Sequence, residues 1–416
     1  MTYELFDVFA VVISLTAVFS FVNFRFLRLP TSIGVMVIAM SASLIMLVLE
    51  NLGFSAVHPA ETLFREVDFN KTLMQGMLSY LLFAGALHVD LGDLARYKWV
   101  VASMASFGVL ISTVIIGILG YWVFNTIGLA IPFIYCLLFG ALISPTDPIA
   151  VLAILRSAGV SKYLETKITG ESLFNDGIGI VVFIVILGIA TETTPLSMAS
   201  IATLFLHEAI GGVVLGLAAG YFCNFMLRQV DNYQVEVLIT LALVTGSYAL
   251  SQHLHVSGPI AVVIAGLLLG NHGRRFAMSE KTQEHLDLFW ELVDEILNAI
   301  LFTLIGIELL VISIDQPHLL AGVAAIGIVL GARFISVMIP VWGFRQVREF
   351  EKHTIKILTW GGLRGGISVA LALSLPPGEM RDSLLAITYC VVVFSILVQG
   401  LSIGRLVRWA QGRSDH

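Results

Sequence analysis

The sequence predicts an all-α polytopic membrane protein with about 13 transmembrane helices, and three observations support this class. Of the 416 residues, 57% are hydrophobic and only 12% are Asp, Glu, Lys or Arg, about half of the roughly 25% that soluble domains carry. The mean hydropathy is +0.93. The net charge is −6 and the chain has no basic run, which argues against nucleic-acid-binding and disordered proteins. Residues 1–416 are expected to form a single transmembrane domain.

Polar residues, prolines and glycines divide the apolar sequence into thirteen runs. The predicted spans are 5–24, 31–50, 73–90, 98–124, 131–156, 168–190, 200–228, 235–253, 257–270, 286–311, 318–343, 353–376 and 382–410. The ninth run is short for a full span, so we expect it to be tilted or broken. The three cysteines lie separately inside apolar runs, which predicts packing roles and not a metal site.

The distribution of basic residues predicts the orientation of the chain. One set of alternate loops carries 18 of the 23 Lys and Arg residues. The other set carries Arg65, Lys71 and Arg381, and the last two, Arg333 and Arg364, fall inside spans. Since positively charged loops remain in the cytoplasm, we expect a cell (inner) membrane protein with its N-terminus outside and its C-terminus in the cytoplasm.

The fifth predicted span contains the motif Ser144-Pro145-Thr146-Asp147-Pro148. Its two prolines remove two backbone donors and prevent a regular helix, and Asp147 lies between them. A broken helix inside a membrane needs protein or water partners for its free backbone groups. A proline kink with a capping Asp is the simpler interpretation, but a kink alone does not require an acid at mid-span.

Polar side chains also begin the sixth predicted span, in Gly170-Glu171-Ser172-Leu173-Phe174-Asn175-Asp176-Gly177. Ser172 and Asp176 are four residues apart and share a helix face, and so do Glu171 and Asn175. Hard cations prefer such oxygen ligands, and a carboxylate can instead take a proton. A polar helix start at the membrane edge is the alternative. It would fit Glu171, but the long apolar run after Asp176 argues against it.

Two further spans contain arginine. The twelfth contains Gly361-Gly362-Leu363-Arg364-Gly365-Gly366, where four glycines around one Arg favour a helix that unwinds in the membrane. Arg364 could neutralise the C-terminal dipole of a half-helix or pair with an acid; a glycine packing face with a snorkelling Arg is the alternative. Arg333 in the eleventh span needs a partner, and Glu171 is the natural candidate.

The two interrupted spans occupy related places in the chain. One is the middle of spans 4–6 and the other is the middle of spans 11–13. The two are seven spans apart, and because this number is odd they cross the membrane in opposite directions. This layout predicts inverted repeats with two discontinuous crossing helices at the substrate site. In the tenth span, Glu291, Asp294 and Glu295 lie near the start, where an acidic interfacial face is the simpler interpretation, and Asn298 lies deeper.

These motifs resemble the cation:proton antiporter family that includes bacterial NhaP-type and animal NHE-type sodium/proton exchangers. The resemblance rests on Ser-Pro-Thr-Asp-Pro at 144–148, Glu-Ser-x-x-Asn-Asp-Gly at 171–177, Arg333 and Gly-Gly-Leu-Arg-Gly at 361–365. It implies an NhaA-like antiporter fold. It also implies a Na⁺ site formed by Asp176, Asp147, Thr146 and Ser172, in which Asp176 binds either the cation or a proton. The residues implied to organise this site are Asn175, Glu171, Arg333 and Arg364.

The resemblance further implies a homodimer in a lipid membrane, with a core of about 98–190 and 318–410 that moves against a scaffold of about 1–90 and 200–311. The implied activity is electroneutral exchange of Na⁺ (or Li⁺ or K⁺) for H⁺ in pH homeostasis, without a cofactor. Asn175 is implied to stand where electrogenic relatives carry a second Asp. Each of these statements is an expectation.

Two other functions remain as alternatives at this level. The first is a K⁺/H⁺ antiporter or another ion carrier or channel. The second, less favoured, is an intramembrane aspartyl hydrolase that uses Asp147 and Asp176, since such enzymes need two acids able to share a proton. No phosphate-binding glycine motif occurs in the loops, which argues against a nucleotide-driven pump.

Overall fold

The computed structural model describes residues 5–52, 76–147, 155, 159–192, 197–310, 312, 315–345 and 350–412. The regular elements within these ranges are helices, and no β-strand occurs there. Among the described residues, eight helices are long and apolar enough to cross a membrane. The predicted all-helical membrane fold is confirmed, whereas the count of thirteen spans and the inverted repeats stay predictions. Arg65, Lys71 and Pro148 lie outside the described residues.

In chain order the helices are α1 (Leu5–Val22), α2 (Thr31–Asn51), α3 (Leu78–Leu87), α4 (Leu91–Ile127), α5 (Phe133–Ile143), α6 (Lys162–Ala190), α7 (Met198–Leu227), α8 (Tyr233–Leu254), α9 (Gly258–Leu268), α10 (Arg274–Ala277), α11 (Glu280–Glu308), α12 (Gln316–Phe344), α13 (Thr354–Trp360), α14 (Gly366–Leu373), α15 (Glu379–Phe394) and α16 (Leu401–Ala410). Short π-helical turns at Asn23–Leu27, Leu269–Gly273 and Ser395–Gly400 extend or join these helices. The short ninth predicted span corresponds to α9 and the turn that follows it.

The start of α6 differs from the predicted one and changes the interpretation of Glu171. The hydroxyl of Ser161 accepts a hydrogen bond from the backbone N–H of Leu164 at 3.3 Å and caps the helix, so α6 begins at Lys162 and not at 168. Glu171 therefore lies well inside the helix and does not cap its start. Lys167, which precedes the predicted start of the sixth span at 168 and is therefore expected in a loop, is buried in α6. Its Nζ lies 4.0 Å from the ring centroid of Phe350.

The fifth and twelfth predicted spans are interrupted in the structure. Helix α5 ends at Ile143, and residues Ser144–Asp147 are not helical. Residues 361–365 separate α13 from α14. Proline at 145 and the four-glycine sequence explain the two breaks, because neither favours a continuous helix.

The packing of the helices places both breaks at the centre of one bundle. Helix α4 packs along α12, α5 and α6, and α14 contacts α5, α6, α15 and α11. Helix α11 also packs on α2, while α9 packs on α3 and α7. The close approach of α5 to α4 requires glycine, since a Cβ on Gly140 would lie 2.4 Å from the carbonyl oxygen of Thr113.

Large apolar side chains remain exposed around the outside of the bundle. Trp122, Phe222 and Trp342 are 66%, 65% and 77% exposed. A surface of this kind would be unfavourable in water, but in a bilayer it contacts lipid. The exterior of the fold is therefore suited to a membrane, and the polar groups discussed below are buried within it.

Candidate cation and proton site

The two interrupted helices meet through their backbones. The N–H of Asp147 donates a hydrogen bond to the carbonyl oxygen of Leu363 at 2.8 Å. A Cβ on Gly365 would lie only 2.2 Å from Oδ2 of Asp147, so the Asp147 side chain occupies the space that glycine leaves open. The unwound segments thus satisfy part of each other's hydrogen-bonding needs, as backbone inside a membrane requires.

Arg364, in the segment between α13 and α14, forms hydrogen bonds with the carbonyl groups at the end of α5. Its Nη1 donates hydrogen bonds to the carbonyl oxygens of Ser144 and Pro145, the latter at 2.8 Å. Its own backbone N–H donates to Oγ of Ser395 at 2.9 Å. The side chain is only 2% exposed. Because the C-terminus of a helix carries partial negative charge on its free carbonyls, this guanidinium neutralises the broken end of α5.

Three side chains from the fifth and sixth spans form a hydrogen-bonded group. The backbone N–H of Thr146 donates to Oδ1 of Asn175 at 3.3 Å, and Nδ2 of Asn175 donates to Oγ1 of Thr146 at 2.8 Å. Oγ1 of Thr146 also lies 3.0 Å from Oγ of Ser172. Because Oγ1 of Thr146 accepts the hydrogen bond from Asn175, the hydroxyl proton of Thr146 can be donated to Oγ of Ser172. Asn175 therefore fixes the interrupted segment against α6.

Asp176 lies on the same face of α6, one turn beyond Ser172, and is 5% exposed. Asp147 and Arg364 both act electrostatically on its carboxylate. A Cβ on Gly179 would lie 2.3 Å from Cγ of Pro145, which shows how closely α6 approaches the break. A buried carboxylate, two hydroxyls and a second acid are thus brought together where the interrupted helices cross.

Glu171 and Arg333 form a buried ion pair with two hydrogen bonds. Nη1 of Arg333 donates to Oε1, and Nη2 donates to Oε2 at 3.0 Å. Nη2 also lies 3.3 Å from the carbonyl oxygen of Leu358, to which it donates. A Cβ on Gly362 would lie 2.6 Å from Nε of Arg333. The pair therefore links α6 and α12 to the end of α13.

The structure brings together all eight residues singled out from the sequence, while their functional roles stay predictions. Sequence reasoning did not identify Leu363 and Ser395, which bond to the two breaks, or Gln399, whose Nε2 donates to the carbonyl oxygen of Trp360 at 3.0 Å. Leu363 acts through its backbone, so its side chain gives no signal. Ser395 and Gln399 are single polar residues in the last predicted span and form no motif.

Known proteins with similar sequences are transporters. The chain matches the family model described as "Sodium/hydrogen exchanger, transmembrane" over residues 11–409. It is 54% identical over 407 residues to the Na(+)/H(+) antiporter NhaP of Pseudomonas aeruginosa, covering 97% of this chain and 96% of that protein. It is 38% identical over 349 residues to the Na(+)/H(+) antiporter NhaH of Halobacillus dabanensis, covering 82% and 83%.

A solved structure has a similar fold. The sodium proton antiporter MjNhaP1 from Methanocaldococcus jannaschii superposes with a TM-score of 0.76, covering 97% of this chain and 99% of that chain. The two sequences are 20% identical, so the likeness concerns the fold. It supports the arrangement of helices described above.

We predict that Glu171→Gln or Arg333→Gln alone lowers the free energy of unfolding by about 3–5 kcal/mol, because each leaves the other charge buried without its partner. The double variant should recover part of this loss. The measurement is thermal unfolding in detergent, analysed as a double-mutant cycle. Neutralising Lys162 and Asp93, which form a largely exposed pair at 2.8 Å, is the matched control and should cost at most about 1 kcal/mol. Additive losses at Glu171 and Arg333 would contradict the coupling.

Proposed function

Because this chain belongs to the sodium/hydrogen exchanger family, we propose that it exchanges Na⁺ for H⁺ across the membrane by alternating access. It is an integral membrane protein and a transporter, not an enzyme. The observation that carries the proposal is Asp176, a carboxylate of 5% exposure on which Asp147 and Arg364 act electrostatically where two interrupted helices cross. The two relatives described above are named Na⁺/H⁺ antiporters, which supports Na⁺ as the cation; Li⁺ and K⁺ are further candidates.

The proposed mechanism follows from competition at one carboxylate. Asp176 holds a cation with Asp147, Thr146 and Ser172 as further oxygen donors, or it holds a proton, but not both. Ions are then exchanged without any nucleotide or cofactor. Arg364 offsets negative charge at the crossing, and the Glu171–Arg333 pair is neutral in itself. The remaining charges of the site can therefore stay constant while Asp176 changes its occupant.

We further propose that α4–α6 and α12–α16 move as a core (about 98–190 and 318–410) against the remaining helices (about 1–90 and 200–311), which dimerise. The packing of α4 along α12, α5 and α6 supports the core. The concentration of basic residues in one set of loops supports an N-terminus outside and a C-terminus in the cytoplasm of a cell membrane. Lipid is proposed to cover the exposed apolar surface, and pH homeostasis is the proposed physiological role.

We predict that Asp176→Asn abolishes cation-dependent proton flux, because an amide can take neither the proton nor the charge-paired cation. The measurement uses proteoliposomes that contain a pH dye, with Na⁺, K⁺ and Li⁺ added in turn. Wild-type protein should respond at least to Na⁺. Glu192→Gln is the matched control, since Glu192 is an exposed acid just beyond the end of the same helix, and it should retain full flux. Appreciable flux in a monodisperse Asp176→Asn preparation would remove Asp176 from the central role.

We predict that the exchange is electroneutral, with one cation moved for each proton. Asn175 cannot titrate, and both its polar atoms are bonded to Thr146. If Asp147 keeps one protonation state, the core carries the same net charge on both crossings. A membrane potential does about 2.3 kcal/mol of work per elementary charge per 100 mV, so electrogenic exchange would respond strongly to voltage.

The potential is imposed on proteoliposomes with valinomycin and K⁺, after K⁺ has been tested as a substrate. The steady-state Na⁺ gradient should follow the pH gradient alone at every potential. A gradient that shifts with the imposed potential would show that a second charge moves, and that this interpretation of Asn175 is wrong.

A further inference from the structure

Helices α8 and α11 are joined by buried polar contacts near the start of each helix. Glu236 in α8 is 1% exposed, and its Oε2 accepts a hydrogen bond from Oγ1 of Thr282 in α11 at 2.7 Å. One turn further along α8, Oγ1 of Thr240 accepts from Nε1 of Trp290 at 3.1 Å. Glu236 is therefore a buried acid at the contact of two helices, and the proposed exchange mechanism does not use it.

Thr282 continues this contact toward the surface of the protein. Its Oγ1 lies 3.0 Å from Oγ of Ser279, which caps α11 by accepting a hydrogen bond from the backbone N–H of Thr282 at 3.3 Å. Oγ of Ser279 donates to Oδ1 of Asp231 at 3.1 Å, and Asp231 is exposed in the turn between α7 and α8. Glu236, Thr282, Ser279 and Asp231 thus form a hydroxyl chain that joins a buried acid to an exposed one.

The hydroxyl chain contains three side-chain contacts but only two hydroxyl protons. If both acids are ionised they can only accept hydrogen bonds, so Thr282 donates to Glu236 and Ser279 donates to Asp231. No hydrogen then lies between the two hydroxyl oxygens, which are held 3.0 Å apart. Such a contact lacks the attraction of a hydrogen bond. One additional proton is needed to complete the chain.

The additional proton can complete the hydroxyl chain from either end. A protonated Glu236 donates to Thr282, Thr282 donates to Ser279, and Ser279 donates to Asp231. A protonated Asp231 reverses all three directions and leaves Glu236 as the final acceptor. The two arrangements differ only in the positions of hydrogens between the same oxygens. A single proton can therefore serve both acids.

The charged surroundings of Glu236 also disfavour two ionised acids. Asp231, which carries charge of the same sign, acts electrostatically on Glu236, and among the described residues neither Lys nor Arg pairs with it. The other charged or titratable groups at these helix ends are Arg228 on α7 and Glu280, Lys281, Glu284 and His285 on α11. A buried carboxylate without a cationic partner is unfavourable, and a shared proton removes that charge.

We infer that Glu236 and Asp231 share one proton through Thr282 and Ser279 and so form a second proton-binding site, separate from Asp176. The site does not depend on which ion the protein exchanges. With the proton bound, three hydrogen bonds connect α8 and the turn before it to the first turn of α11. Without the proton one of the three is lost, so the pH at this end of the helices controls how firmly α11 is attached.

The test follows unfolding in detergent above about pH 5, where the carboxyl groups of an unfolded chain are ionised. The folded protein then binds one proton more than the unfolded protein, so its stability falls as the pH rises. The unfolding constant should increase by up to about tenfold per pH unit from this site, over the range in which the hydroxyl chain keeps its proton.

Asp231→Asn should remove this part of the pH dependence, because the amide supplies the third hydrogen to Ser279. Glu280→Gln neutralises an exposed acid next to Ser279; it is the matched control and should retain the pH dependence. Since Asp231 is exposed, its substitution leaves the packing of the helices intact. The same pH dependence in Asp231→Asn and Glu280→Gln would overturn the shared proton.

Glu236→Gln tests the buried end of the hydroxyl chain. Its amide can donate to Thr282 as a protonated Glu236 does, so the variant should be as stable as the wild-type protein at about pH 5 and more stable at higher pH. If Glu236 were an ionised acceptor only, the variant would lose a charge-assisted hydrogen bond. Lower stability than wild type at every pH would therefore overturn the inference.

The Asp176→Asn background separates this site from the proposed exchange site. The difference between Asp231→Asn and Glu280→Gln should persist there, because Asp176 is not part of the hydroxyl chain. Disappearance of the difference would assign the titration to Asp176 and overturn the second site. Absence of Na⁺-dependent flux in the wild-type protein would instead remove the proposed function and leave the shared proton intact.

Discussion

The site depends on the way in which two broken helices satisfy each other inside the membrane. Where α5 and the α13–α14 span unwind, their backbone groups have no water to bond with. The N–H of Asp147 bonds to Leu363 of the other span, and the guanidinium of Arg364 bonds to the carbonyls of Ser144 and Pro145. Each break therefore satisfies part of the other's backbone hydrogen bonding. Asp147 and Arg364 are held at the crossing as a consequence.

The buried charged groups around this crossing are arranged so that few of them need to change partner when an ion is exchanged. Glu171 and Arg333 form a closed pair with two hydrogen bonds. Arg364 is engaged with carbonyl oxygens of opposite partial charge. Asp176 is different, since it shares a helix face with Ser172 and both Asp147 and Arg364 act electrostatically on its carboxylate. A carboxylate in this position can exchange a proton for a cation without disturbing the Glu171–Arg333 pair.

The sequence was sufficient to predict features that arise from local chemistry. Proline at 145 and the glycines at 361–366 disfavour helix wherever they are placed, so both breaks could be located. A membrane Arg needs an acid, so the pairing of Arg333 with Glu171 could be expected. The start of α6 was misplaced because the capping by Ser161 outweighs the polarity of residues 162–167. The contacts of Leu363 and Ser395 could not be predicted, because they arise only when distant helices cross.

The central claim is that Asp176 binds a cation or a proton in competition, and the most direct measurement is proton release on cation binding. Na⁺ is added to purified protein in weakly buffered detergent solution, and the protons released are counted against the Na⁺ bound. At a pH at which Asp176 is protonated, about one proton should leave for each Na⁺ that binds, and release should disappear as the pH rises. Na⁺ binding that releases no proton at any pH would contradict the account.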